Sequence, residues 1–141
     1  MFRVMFLCTA NSCRSQMAEG LAKELGKGLI EVHSAGLFAA SVHPKAIAVM
    51  REIGVDISRQ SSKAINENLL MEMDAVITLC GNAEEACPFV PARIRRLHWP
   101  VKDPVGTTGS EEDIMREFRR ARDEIKGKIT GFLKGLKEIG N

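Results

Sequence analysis

The chain has 141 residues, of which 45% are hydrophobic and 27% charged, with 20 basic and 18 acidic side chains. This size and composition are typical of one globular domain, so residues 1–141 are predicted to form a single domain, and a disordered or fibrous protein is excluded. The formal net charge of +2 gives no overall electrostatic signature for binding nucleic acid or a membrane surface.

No apolar run approaches the roughly 20 residues of a membrane-spanning helix, and the first residues lack the basic and long apolar parts of a secretory signal. We therefore expect a cytoplasmic protein that binds neither nucleic acid nor membrane. We also expect a monomer, although the sequence contains no feature that specifies the oligomeric state. The four cysteines, Cys8, Cys13, Cys80 and Cys87, are too few for a disulfide scaffold. In a reducing compartment they are expected to be free thiols unless they take part in chemistry.

Strand-like and helix-like segments alternate along the first half of the chain. Residues 2–7 form the apolar run of a buried strand, and residues 15–25 carry apolar side chains at helical spacing. Residues 29–34 alternate as a second strand. Pro44 suits the first position of the next helix, and Gly54 is predicted to end it.

The second half continues this alternation. Residues 66–73 predict a short helix, residues 75–79 a third strand that leads into Cys80, and residues 94–99 a fourth strand. Apolar residues then recur every three to four positions over residues 114–136, which predicts a long helix with one face on the core. The order predicts an α/β fold, a four-stranded parallel sheet flanked by helices on both faces, with ligands beyond the carboxyl ends of the strands.

The loop between the first strand and the first helix carries the pattern C-x5-R-S. Backbone N–H groups of such a loop can surround a tetrahedral oxyanion, and the helix N-terminus and the guanidinium of Arg14 add positive charge. The same groups stabilise a thiolate on Cys8, to which Ser15 can donate a hydrogen bond. Asn11 is expected to hold the loop through a left-handed backbone or through its side chain. The predicted oxyanion-binding residues are Thr9, Ala10, Asn11, Ser12, Cys13 and Arg14.

Residues 2–20, FRVMFLCTANSCRSQMAEG, resemble the low-molecular-weight tyrosine phosphatase family and, more closely, its thioredoxin-coupled arsenate reductase branch. The resemblance continues in HSAG (33–36), HPKAI (43–47), TLCGNAEEACP (78–88), HWPVKDP (98–104) and FRRARDEIK (118–126), and covers nearly the whole chain. It implies the phosphatase I fold, Cys8 as nucleophile, oxyanion binding by Arg14 and the loop, and Asp103 as general acid. The alternative for Asp103 is an Asp-Pro turn without a catalytic role.

The remaining cysteines separate a reductase from a phosphatase within this family. In an arsenate reductase a second thiol attacks Cys8 of the thiol–arsenate adduct, arsenite leaves and a disulfide remains. Cys80 is the candidate for that thiol, and Cys87 would then attack Cys80 and leave a Cys80–Cys87 disulfide for thioredoxin. No bound cofactor is expected, because the electrons would come from NADPH through thioredoxin reductase and thioredoxin.

A helix between Cys80 and Cys87 would separate their Cα atoms by about 10 Å, whereas a disulfide needs roughly 4.4 to 6.8 Å. Residues 80–90 are therefore predicted to rearrange on oxidation. Buried or incidental thiols are one alternative for this pair. A zinc site is another, which the C-x6-C spacing and the scattered histidines disfavour.

Two other functions remain open at this point. One is a low-molecular-weight protein tyrosine phosphatase in which the extra cysteines protect Cys8 by reversible disulfide formation. The other is a non-enzymatic module that binds oxyanions or senses redox state. The chain contains no tyrosine, and residues 105–109 stand where phosphatases of the family carry aromatic residues, which favours a small inorganic anion as substrate.

A cation site of the family is altered in this chain. Asn11, Glu19 and Ser34 match proposed ligands of potassium-binding members, but Lys63 stands where those members have an acidic residue. We therefore expect no bound metal and hypothesise that the Lys63 ammonium takes the place of the cation and orders Asn11 and the loop. The alternative is a solvated surface lysine.

Overall fold

The computed structural model describes residues 1–139, so Gly140 and Asn141 of the predicted single domain lie outside the described residues. Strands and helices alternate through that range. Their bounds are β1 Phe2–Cys8, α1 Arg14–Leu25, β2 Ile30–Gly36, α2 Pro44–Arg51, α3 Glu67–Leu70, β3 Ala75–Thr78, α4 Gly81–Ala86, β4 Arg95–His98 and α5 Glu111–Ile139.

The four strands form one parallel sheet in the order β2-β1-β3-β4. Val4, Met5, Phe6 and Leu7 of the central strand β1 are each at most 1% exposed. Because successive side chains of a strand point to opposite faces, four consecutive buried residues require that both faces of the sheet are covered. The predicted α/β fold is confirmed.

The helices complete the core around this sheet. Helices α1, α2 and α5 pack against one another, α1 also covers β2, and α4 contacts β1 and β3. The predicted apolar face of α5 is buried at Phe118, Ala121, Ile125 and Ile129, whereas towards its end Leu133 is buried and the predicted Phe132 and Leu136 are half-buried. Among residues 1–139 there is no helix long and apolar enough to span a membrane.

Several predicted boundaries shift for local reasons. Helix α3 covers Glu67–Leu70 instead of residues 66–73. Asn66 is its N-cap, whose side chain accepts a hydrogen bond from the N–H of Leu69 at 3.1 Å, and residues 71–72 form a turn that ends it. Helix α2 begins at Pro44 as predicted, with His43 as N-cap. It ends at Arg51, and Gly54 follows in a left-handed conformation with φ of +79°.

Parallel pairing brings two chain segments to one edge of the sheet. Leu7 of β1 is in register with Thr78 of β3, and the N–H of Leu79 donates to the carbonyl of Leu7 at 2.8 Å. The residues that follow both strands, Cys8 and Cys80, therefore emerge side by side.

The carboxyl end of β2 meets the loop that follows β1. A Cβ added at Gly36 would lie 2.6 Å from the backbone nitrogen of Asn11 and 2.8 Å from the carbonyl carbon of Ala10. Only glycine allows this approach, because backbone atoms cannot move aside as the end of a flexible side chain can. The close contact keeps the loop seated against the sheet.

Replacing Gly36 by alanine tests this contact. We expect Gly36→Ala to lower the free energy of unfolding by about 1 to 3 kcal/mol, since the added methyl group displaces the loop backbone. The control is Gly127→Ala, because Gly127 lies exposed in α5 with open space around its Cα. That change should raise the free energy of unfolding by about 0.5 to 1 kcal/mol. Urea unfolding of the reduced proteins measures both changes. If Gly36→Ala and the unchanged protein had equal free energies of unfolding, the close contact at Gly36 would not hold the loop.

Candidate active site

A cavity of about 510 Å³ opens at the carboxyl ends of β1 and β3. Its floor is the loop of residues 9–13, which starts from Cys8 at the end of β1 and leads into Arg14 at the start of α1. Cys80 and Asp103 line the same cavity. The structure thus brings together five of the six predicted catalytic side chains, with Ser15 directly beneath Cys8.

The peptide groups of the loop are oriented by their carbonyl oxygens. The carbonyl of Thr9 accepts from the N–H of Leu37 at 2.8 Å, that of Ala10 accepts from the N–H of Ala40 at 3.1 Å, and that of Ser12 accepts from the N–H of His43 at 2.9 Å.

The carbonyl and the following N–H of a trans peptide point in opposite directions. The N–H groups of Ala10, Asn11 and Cys13 are therefore turned away from these partners and towards the inside of the loop. Cys13 is the N-cap of α1 and makes no side-chain capping bond, so the first N–H groups of this helix add to the set. Such an array, with the positive end of a 12-residue helix behind it, is suited to bind a tetrahedral anion.

Asn11 holds the loop both by its backbone and by its side chain. Its φ of 49° is left-handed, and its side chain is fully buried. The backbone N–H of Lys63 donates to Asn11 Oδ1 at 2.8 Å, which fixes the orientation of the amide, because a backbone N–H can only donate. The Nδ2 atom then donates to the hydroxyls of Ser15 at 2.7 Å and Ser34 at 3.0 Å.

This orientation determines the hydrogen bond to Cys8. The Ser15 hydroxyl lies 2.8 Å from Cys8 Sγ. Since Ser15 Oγ already accepts from Asn11, its proton is available to donate to the sulfur. A donated hydrogen bond stabilises a thiolate more than a thiol. The thiolate is the form that acts as nucleophile.

Arg14 and Asp103 form an ion pair in the lining of the cavity. The guanidinium of Arg14 donates from Nη1 to the carbonyl of Val101 at 2.8 Å, and its Nη2 lies 3.5 Å from Asp103 Oδ2. Asp103 also accepts a hydrogen bond at Oδ1 from the N–H of Val105 at 2.9 Å. Asp103 therefore forms the Asp-Pro turn through Oδ1 and also lines the cavity, where Oδ2 is directed to Arg14.

Cys80 and Cys87 stand at the two ends of α4. Cys80 is the N-cap, where Sγ accepts from the N–H of Ala83 at 3.4 Å and lies 3.3 Å from Thr9 Oγ1. Cys87 is the C-cap and is buried, with Sγ 3.5 Å from the carbonyl of Pro88. Burial raises the pKa of Cys87, and the nearby Arg96 offsets part of that effect.

The segment between the two cysteines is helical in this state. All four cysteines are free thiols in the structure.

Cys13, the fourth, is 4% exposed, and burial raises its pKa far above the usual range, so it stays a neutral thiol. A buried neutral thiol is a poor nucleophile, so Cys13 is not suited to take part in the transfer of electrons.

A second buried group lies beneath the loop. The hydroxyl of Ser34 donates to Glu19 Oε1 at 2.5 Å, while Lys23 Nζ lies 2.6 Å from Glu19 Oε2. Lys63 Nζ lies 3.5 Å from Oε1 of the same carboxylate. Burial raises the pKa of Glu19, but the hydrogen bonds from Lys23 and Ser34 and the charge of Lys63 outweigh it and hold the pKa below its usual value.

These contacts place an ammonium next to the carboxylate that was compared with a potassium ligand. A bound potassium ion does not fit well here, because Lys63 already supplies a positive charge to Glu19. Elsewhere in residues 1–139, no cluster of three or more His, Cys, Asp or Glu side chains could hold a metal ion.

Sequence reasoning missed three contributors to the site. His43 lines the cavity, where burial lowers its pKa, and the carbonyl of Val101 holds Arg14. Glu84 of α4 is joined to Thr78 at the end of β3 by a hydrogen bond of 2.5 Å. Neither contact has a local sequence signal, because Glu84 bonds residues that β3 and β4 bring together, and the carbonyl of Val101 lies 87 positions from Arg14.

Curated and solved proteins are similar to this chain over nearly its whole length. An arsenate reductase of Halalkalibacterium halodurans is 47% identical over 129 residues, which cover 92% of this chain and 93% of that protein. The solved structure of an arsenate reductase in oxidized state has a TM-score of 0.83 at 40% identity, covering 96% of this chain and 99% of that chain.

The Corynebacterium glutamicum thioredoxin-dependent arsenate reductase Cg_ArsC1' has a TM-score of 0.79 at 27% identity, and the match covers 97% of this chain and 62% of that one. The family described as low molecular weight phosphotyrosine protein phosphatase matches residues 3–140. This chain therefore belongs to the low molecular weight phosphotyrosine protein phosphatase family.

Proposed function

We infer that this chain is an arsenate reductase that converts arsenate to arsenite with thiol electrons. Its similarity to curated and solved arsenate reductases supports the activity. The observation that carries the inference is the presence of Cys80 beside the anion-binding loop, with its sulfur 3.3 Å from Thr9 Oγ1 and lining the same cavity as Cys8. A hydrolase has no need of a second thiol at that place.

The first step uses the groups of the loop. The thiolate of Cys8 attacks arsenic while the N–H groups of residues 10–13 and Arg14 bind the arsenate oxygens. Asp103 then gives a proton to the oxygen that leaves as water. Its position 3.5 Å from Arg14 keeps it over the anion. The product is a Cys8 thiol–arsenate adduct that still contains arsenic in the +5 state.

Reduction requires a second sulfur. Cys80 attacks Cys8 Sγ, a sulfur–sulfur bond forms, and the electron pair of the sulfur–arsenic bond stays on arsenic, which leaves as arsenite in the +3 state. Cys87 then attacks Cys80, and Cys8 departs as a thiolate stabilised by Ser15. The resulting Cys80–Cys87 disulfide is reduced by thioredoxin, which a thioredoxin-dependent relative supports as the partner.

The phosphatase alternative uses only part of this site. Cys8, Arg14 and Asp103 would also be sufficient for hydrolysis of small phosphate esters, because phosphate and arsenate share shape and charge. A protein tyrosine phosphatase would additionally need to grip an aromatic ring. The chain has no tyrosine, and the cavity mouth carries Val105 and Ala40. We therefore assign hydrolysis of aryl phosphates to a residual activity.

The proposal extends to the setting in which the chain works. Electrons would pass from NADPH through thioredoxin reductase to thioredoxin, without a cofactor bound to this chain. One chain supplies every group that the proposed reaction needs, so we propose that it works as a monomer. The need for reduced thiols supports a cytoplasmic location.

We further propose that Lys63 supplies the positive charge that orders the loop from below. Its ammonium lies near Glu19, Glu19 accepts from Ser34, and Ser34 accepts from Asn11. The backbone of Lys63 binds Asn11 directly. The residue therefore acts on Asn11 through both its main chain and its side chain.

Substitution of Lys63 tests this role. We expect arsenate turnover by the unchanged protein to differ by less than about twofold between potassium and sodium chloride at equal ionic strength. Lys63→Asp should lose activity in sodium and recover part of it in potassium, because a second carboxylate beside Glu19 needs a cation. Lys27→Asp, the same charge change at an exposed position, is the control. Strong potassium stimulation of the unchanged protein would contradict the proposal.

The activity itself is tested by arsenate-dependent NADPH oxidation with thioredoxin and thioredoxin reductase. The unchanged protein should turn over, whereas Cys80→Ser and Cys87→Ser should lose at least about 10³-fold in rate, because neither can complete the disulfide exchange. Hydrolysis of p-nitrophenyl phosphate should persist in both variants and serves as the control for folding. Turnover that survives either substitution would overturn the three-thiol mechanism.

A further inference from the structure

Helix α4 is held in place by few apolar contacts. It has six residues, begins with Gly81 and Asn82, which are poor helix formers, and buries only Ala83. A helix of this length is not stable by itself in water. Other contacts must keep it folded, and the structure shows them at Glu84.

Glu84 joins α4 to strands β3 and β4. Its Oε2 accepts from the Thr78 hydroxyl at 2.5 Å, and its Oε1 lies 3.4 Å from Arg96 Nε. Arg96 also donates through Nη2 to the backbone carbonyl of Glu84. Since the Thr78 proton goes to Glu84, His98 Nδ1, 2.8 Å from Thr78 Oγ1, acts as the donor to that hydroxyl. Thr78 is fully buried, so these bonds are shielded on the strand side.

The same helix blocks the second disulfide. Its ends carry Cys80 and Cys87, whose Cα atoms would be about 10 Å apart across a regular helix, whereas a disulfide needs roughly 4.4 to 6.8 Å. Two backbone hydrogen bonds hold both cysteines to the folded helix. The N–H of Cys87 donates to the carbonyl of Ala83 at 2.9 Å, and the N–H of Glu84 donates to the carbonyl of Cys80 at 3.1 Å. Glu84 lies in the middle of the segment that must close into a loop, so it has to leave Thr78 and Arg96.

We propose that Glu84 is a positioning residue that keeps α4 folded until Cys80 has reacted with the Cys8 adduct. Its release then lets Cys87 attack Cys80: the Cys80–Cys87 bond forms, the Cys8–Cys80 bond breaks, the proton of Cys87 passes to water and Cys8 leaves as thiolate. This exchange needs no further oxidant. The proposal rests on the proposed function, because it concerns the order of the same three thiols.

The proposal has a thermodynamic consequence that a merely structural role would lack. Bonds that exist only in the dithiol form stabilise that form, so they make the Cys80–Cys87 disulfide easier to reduce. Glu84→Gln removes the charge and weakens these bonds. The disulfide of the variant should therefore be favoured relative to the dithiol.

The test is the equilibrium between dithiol and disulfide in graded mixtures of oxidised and reduced dithiothreitol, without arsenate. The full chain carries Cys8→Ser and Cys13→Ser, so that only Cys80 and Cys87 react. Glu84→Gln should raise the ratio of disulfide to dithiol about three- to tenfold at a given mixture. Glu85→Gln, the same change at the exposed neighbouring position of α4, should leave the ratio unchanged.

Thr78→Val removes the same hydrogen bond from the strand side and keeps the shape of the side chain. It should shift the ratio in the same direction, and combining it with Glu84→Gln should give less than the product of the two effects. Amide exchange of residues 81–86 in the dithiol protein should become faster in both variants.

Equal ratios in Glu84→Gln, Glu85→Gln and the parent would overturn the proposal while leaving the arsenate assay untouched. A parent that forms no Cys80–Cys87 disulfide at any mixture would overturn both this proposal and the three-thiol mechanism.

Discussion

The orientation of a few peptide groups between β1 and α1 is the constraint on which the site depends. Asn11 is the centre of it, because its left-handed backbone turns the loop and its side-chain amide joins Ser15, Ser34 and the backbone of Lys63. That amide cannot be reversed without opposing the Lys63 N–H, so Ser15 is left to donate to Cys8. One buried side chain thus orients both the anion-binding groups and the hydroxyl that donates to the nucleophile.

The site combines a rigid loop with a neighbouring segment that must change its conformation. The loop beneath Cys8 has to be rigid, because its N–H groups act only in a fixed array, and Gly36 and Asn11 make it so. The segment between Cys80 and Cys87 has to be folded in one state and open in another. A six-residue helix with one buried side chain and a polar tether meets that demand, because its bonds can be exchanged at low cost.

Local patterns predicted the alternation of strands and helices, the loop from Cys8 to Arg14 and a role for Asn11 in holding that loop, because each is encoded within a few neighbouring residues. Residues 66–73 were predicted as one helix, but the cap at Asn66 and a turn shorten it to Glu67–Leu70. The bond from Arg14 to Val101 and the tether of Glu84 depend on strand register and were not predicted. Contacts across the sheet become visible only once the strands are placed.

The most direct test of the account is to map the disulfides after one turnover. Reduced protein is mixed with an equal amount of arsenate and no reductant, then alkylated and analysed by peptide mass spectrometry. The account predicts one arsenite per chain, a Cys80–Cys87 disulfide and alkylated Cys8, with a Cys8–Cys80 disulfide in Cys87→Ser. Arsenite released together with a Cys8–Cys13 disulfide, or without any disulfide at Cys80, would contradict it.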